Sequence, residues 1–192
     1  SGDAHGTGTS SAIKTNVDKF YTAKLASYAS KLDTNAGFCG DRSNLNLQSG
    51  VGTGTVITYN KGYSRVAEST PTLTCENASD YYTVSSATSG NKKLSYPIGL
   101  ITADEVMLAG HAGGVFDGSY NHQKSNNGSY LTTGNTFWTM TPAGGYNSFG
   151  IPYWRALVFY VNASGEFDDH HVYNAVGLRP VINIRSDVTI TG

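Results

Sequence analysis

Between residues 15 and 32 the apolar positions Val17, Phe20, Tyr21, Leu25, Tyr28 and Leu32 recur at helical spacing, with polar residues between them. That period predicts an N-terminal amphipathic helix, with Thr15 or Asn16 capping its start. Residues 37 to 62 are rich in Gly, Ser and Asn, have little period, and read as a long surface excursion. Residues 96 to 101 form a short apolar run that predicts a buried strand. Directly after it, Thr102 and Glu105 have the spacing of a capping box, which predicts a short second helix stopping at Gly110.

Strand-like text dominates from there on. Residues 111 to 130 are aperiodic and read as a loop, and "TFWTMTP" reads as a strand that Pro142 ends. The segment "AGGYNSFGIPYW" combines turn chemistry with large aromatics. "RALVFYVNASGEF" is a strand running into a turn, and "VGLRPVINI" closes the sheet. Helices first, then many short strands and long loops, predict an α+β fold with small antiparallel sheets and not alternating βαβ units.

Composition narrows the function classes. A chain of 192 residues suits one domain that buries roughly 70% of its unfolded surface, so folding requires neither metal nor disulfide. Charged residues make up 14% and the net charge is −1, without the basic excess that binding nucleic acid demands. Gly 23 and Tyr 13 describe a loop-rich surface able to make contacts through Tyr and short polar groups. No apolar run approaches the roughly 18 residues that span a bilayer, so no direct membrane insertion is expected of this segment. Residues 1 to 12 read as a flexible linker or expression scar, and 13 to 192 as the domain. Cys39 and Cys75 sit in loop-like text, either paired in an oxidising compartment or as two unrelated thiols.

The densest chemistry is in "FDDHHVYN", residues 167 to 174. On a strand, Asp168 and His170 would share one face and Asp169 and His171 the other, giving each face one carboxylate and one imidazole. Two ligands fall short of a zinc site unless His111, His122 or Asp117 joins them, so no metal or other cofactor is expected. A solvated turn and a contact surface are the remaining readings. The aromatic turn at 146 to 155 favours the contact surface. There Tyr146, Phe149, Tyr153 and Arg155 are candidate exposed anchors, Asn147 and Ile151 lie between them, and Trp154 is a candidate core residue. No G-x-S-x-G elbow, Walker loop or H-E-x-x-H sequence occurs, and no catalytic residues are assigned.

Taken together, "GFCGDRS", "KKLSYPIGLITADEVMLAG", "YLTTGNTFWTMTP", "VFYVNASGEF" and "GLRPVINIRSDVTITG" resemble a bacterial domain of the C-type lectin fold class found on surface and phage-associated proteins. Within that class the chain is similar to the variable proteins of diversity-generating retroelements, in which adenine-directed mutagenesis rewrites codons near the C-terminus. An AAC codon changed at its adenines yields Phe, Asp, His, Tyr or Asn, the residues at Phe167, Asp168, Asp169, His170, His171, Tyr173 and Asn174. The resemblance implies a variable region at about 143 to 182, with Tyr146, Asn147, Phe149, Ile151, Tyr153, Arg155, Phe167, Asp168, Asp169, His170, His171 and Tyr173 as ligand-binding positions. It also implies a receptor or adhesin role toward a protein or glycan on another cell, host or phage, and an extracellular, cell-surface or phage-particle location. A non-diversified surface, pilus or phage adhesin that binds glycans is the alternative. Sulfatase-activating enzymes share the fold class but depend on reactive cysteines. The Glu-Pro-Asn, Gln-Pro-Asp and Trp-Asn-Asp motifs of calcium-dependent sugar binding are absent.

Overall fold

The computed structural model describes residues 11–45, 58–85, 93–113, 129–147 and 154–190, and it is an α+β fold. Helix α1, Ala12–Lys24, begins earlier than the spacing predicts because Ser11 caps it, its hydroxyl accepting the Lys14 N–H at 3.1 Å. The helix also ends sooner. At Ala26–Lys31 the chain tightens into 3-10 turns, which rotate successive side chains farther than an α-helix does and break the predicted stripe. Val17, Tyr21 and Leu32 are buried, whereas Phe20 and Tyr28 stay exposed.

The expected surface excursion holds structure. Within it β1, Phe38–Cys39, pairs with β3, Tyr81–Tyr82, and β2, Thr58–Tyr59, joins the main sheet. It then runs into helix α2, Lys61–Glu68, which the apolar spacing does not announce. Gly62 is needed there: a Cβ would come within 2.5 Å of the Thr141 methyl group. Strand β4 is only Gly99–Leu100, although Ile98 and Ile101 beside it are buried as the apolar run predicts. Helix α3, Ala103–Leu108, has the predicted capping box complete. Thr102 Oγ accepts the Glu105 N–H at 3.1 Å, and Glu105 Oε2 accepts the Thr102 N–H at 2.7 Å. Gly110, at φ 100°, turns the chain away after it.

The main sheet has the order β2-β5-β6-β7, with β5 at Phe137–Asn147, β6 at Trp154–Val161 and β7 at Phe167–His171. Pro142 does not end its strand. The register shifts on both sides of the Pro142↔Val158 pair, and such an irregularity accommodates a residue that cannot donate to a ladder. The last apolar run is divided: β8, Gly177–Leu178, pairs in parallel with the start of β5, while β9, Pro180–Val181, pairs with β4.

Alternation along β5 and β6 builds a core on each side of the sheet. Phe137, Leu157, Phe159 and Val161 pack on one face with Val66, Val106, Met107 and Leu131. Trp138 packs on the other with Val17, Tyr21, Leu32, Ile98 and Leu100, and Val158 and Tyr160 cover its margin. Away from both cores, Arg65 of α2 donates to Asp104 of α3 at 2.7 Å and to Asp41 at 2.7 Å. Arg42 pairs with the fully buried Asp80, and Cys39 and Cys75 are joined as a disulfide. These ties surround a cleft of about 80 Å³ lined in part by Asp41, Arg65, Thr72 and Asp104.

Candidate functional site

The charged run begins where the "NASGE" turn ends. Asn162 Oδ1 accepts the N–H groups of Ser164 and Glu166 at 2.9 and 3.0 Å, and Gly165 adopts φ 84°, which reverses the chain tightly. The residues after the turn form strand β7, not an exposed turn, paired through Val161↔Phe167, Tyr160↔Asp168, Phe159↔Asp169, Val158↔His170 and Leu157↔His171. In the sheet β7 is the terminal strand of the path β2-β5-β6-β7. Cross-strand partners share a face, so Asp168 and His170 lie with Tyr160 and Val158, while Phe167, Asp169 and His171 lie with Val161, Phe159 and Leu157.

One of the sequence expectations changes here. Phe167, expected among the ligand-binding positions, is 2% exposed and packs edge-on against Phe159 and His111, so it is a core residue. The polar cluster is divided between the two faces of β7 in the way strand spacing gives, Asp168 and His170 on one and Asp169 and His171 on the other.

On the first face Tyr160 donates its hydroxyl to Asp168 Oδ2 at 2.9 Å. Burial pushes the Tyr160 phenol well above its ordinary range, and Asp168, Asp169 and Glu166 add to the shift, so the hydroxyl stays a donor. The His170 ring is exposed and lies 5.6 Å from the Tyr160 ring and 6.5 Å from Trp138, whose indole forms the floor. At the far end of β7 the His171 ring stacks on Tyr173 at 5.1 Å and 15°, with Tyr173 60% exposed. On the second face, burial raises the Tyr63 phenol first, Tyr59 second, and Asp169 contributes from across the strand.

The aromatic hairpin and β7 do meet. Register pairs Tyr146↔Arg155 and Asn147↔Trp154 bring the two arms together, and the Val172 N–H donates to the Ala156 carbonyl at 3.1 Å. Residues 155 and 156 therefore run beside 172. Asp168 lies opposite Tyr160, five residues farther along β6 from Arg155, or about 17 Å at roughly 3.3 Å per residue. Phe149, Ile151 and Tyr153 lie outside the described residues, as do the side chains of Tyr146, Asn147, Trp154 and Arg155.

Tyr160 and Trp138 belong to this site and were not among its expected residues. Folding "ALVFYVNASGEFDDHH" about its turn places Tyr160 opposite Asp168, so the signal was present in the spacing. Among the described residues no group of three or more His, Cys, Asp or Glu side chains is arranged to hold a metal ion. No helix among them is long and apolar enough to cross a membrane. Comparison with family models, with curated proteins and with solved structures finds no match to this chain.

Proposed function

We propose that this chain is a ligand-binding domain of receptor or adhesin type, with a C-type-lectin-like fold and a surface varied in the manner of diversity-generating retroelement proteins. Its partner is a protein or glycan on another cell, host or phage, met outside the cell or on a phage particle. The observation that carries the reading is the placement of the charged and aromatic run. Asp168, His170, His171 and Tyr173 follow one terminal strand, partly or largely exposed, and its far end runs beside the β5–β6 hairpin. Rings with few rotatable bonds next to short polar groups are the composition of recognition surfaces, in which a few anchors supply most of the affinity. The disulfide adds support for an oxidising location.

A partner screen of the native domain against a variant with Asp168, Asp169, His170, His171 and Tyr173 reset to Asn and Ser tests the site. The native domain should recover a partner that the reset variant binds at least tenfold more weakly, and Tyr173→Ala alone should cost about 2 kcal/mol. Recovery of the same partner with equal affinity by both proteins would place recognition elsewhere.

A further inference from the structure

His111 is 3% exposed and follows α3 after Ala109 and Gly110. Its Nε2 lies 3.3 Å from the Thr132 hydroxyl, and its ring meets Phe167, the first residue of β7, edge to face at 6.2 Å. Its Nδ1 is buried with no hydrogen-bond partner. The next residue, Thr133, accepts from Arg179 Nη2 at 3.2 Å, and that guanidinium lies over the Phe137 ring at 4.2 Å. Two groups able to carry positive charge therefore hold neighbouring threonines of one short segment.

We infer that His111 and Thr132 form an acid-released clasp, in which protonation of the imidazole frees the segment around residues 129 to 136 and loosens the start of β7. A neutral imidazole can serve Thr132 through Nε2 with a bare Nδ1. An imidazolium must bury a second N–H that only the Val106 carbonyl favours, and more weakly than burial and Arg179 oppose it, and both costs fall on the clasped state. Burial pushes the His111 pKa down first and Arg179 lowers it further, with the Val106 carbonyl opposing more weakly. From the other elements packed on the ring, Phe167 of β7 and Thr132 bring no charge; Arg179 is the charged group acting on it. The clasp stands independently of the binding reading, because it concerns the free protein.

Amide hydrogen exchange of the full chain at pH 7.5 and pH 5.5, each rate divided by its intrinsic chemical rate, tests the clasp. Amides at 131 to 136 and at Phe167 should exchange severalfold faster at pH 5.5, with about tenfold the ceiling set by a released imidazole near its ordinary value, while those of α1 change less than twofold. His111→Gln, which hydrogen-bonds but does not titrate, should abolish that acid response. Thr132→Val, which keeps the imidazole but removes its partner, should exchange fast at both pH values. A local rate independent of pH, an acid response spread evenly over the chain, or an unchanged response in His111→Gln each overturns the inference. Should His111→Gln fail to fold, an NMR titration of the His111 ring in the native chain decides: a midpoint at or above the ordinary imidazole value overturns it.

Discussion

Phe167 and Asp168 are neighbours in the chain and lie on opposite faces of β7, so adjacency in sequence does not give them a shared role. Phe167 is 2% exposed between Phe159 and His111, and truncating it leaves a cavity in a packed interior. Phe167→Ala should lower unfolding free energy by about 3 to 5 kcal/mol in denaturant titration, and Trp138→Ala, at 2% exposure, by a similar amount. His170→Asn, on an exposed ring, should change it by less than about 0.5 kcal/mol. A Phe167→Ala loss below about 1 kcal/mol would return Phe167 to the surface. Trp138 as a core residue was readable from its apolar strand. Phe167 was not, because the text before and after it is polar and only the register with Val161 settles its face.

Elements governed by local chemistry were legible in the sequence, and those that exist through distant contacts were not. Helix α3 shows the first kind: Thr102 and Glu105 satisfy each other's backbone N–H groups within four residues, and Gly110 ends the helical path. Thr102→Ala should therefore cost about 1 kcal/mol, read as a lower denaturant midpoint with an unchanged slope. No change in midpoint would show that the neighbouring Ala103 N–H, bound to Thr141 Oγ at 2.9 Å, holds the helix start alone. Helix α2 shows the second kind. Its sequence "KGYSRVAE" has a poor helix former at Gly62 and two buried positions, Gly62 and Val66; its place is held by Arg65 reaching Asp104 and Asp41, 39 and 24 positions away. The strand β7 is intermediate. Its turn was readable and its partner strand followed, but its strand conformation in place of an exposed turn depended on pairing that a run of Asp and His does not advertise.

At the scale of the whole molecule, the α+β class was legible from the order of periods, whereas the connectivity was not. The final apolar run serves two sheets, β8 beside β5 and β9 beside β4, and one apolar sequence cannot say which neighbours divide it. The chain also closes on itself near its ends: Leu32 bridges Ile184, and the Arg185 N–H donates to the Lys31 carbonyl at 3.0 Å. The Cys39–Cys75 bond acts at this scale because its loop spans 36 positions and crosses α2 and its ion pairs. Constraining a loop of that length in the unfolded chain is worth about 4 kcal/mol in the chain-entropy account. The same part of the fold, however, is already tied by Arg65 to Asp41 and Asp104, by Arg42 to Asp80, and by the Thr72 N–H to Asp104 at 3.0 Å. If the disulfide acts on the unfolded state, the two contributions add. A Cys39→Ser, Cys75→Ser double variant should then keep the native arrangement of Tyr81, Tyr82 and Asp80 by NMR while its unfolding free energy falls by about 3 to 4 kcal/mol. A fall of under 1 kcal/mol would mean that the denatured chain is already compact across this loop. Loss of the native arrangement would mean that the disulfide, and not the ion pairs, holds β1 against β3.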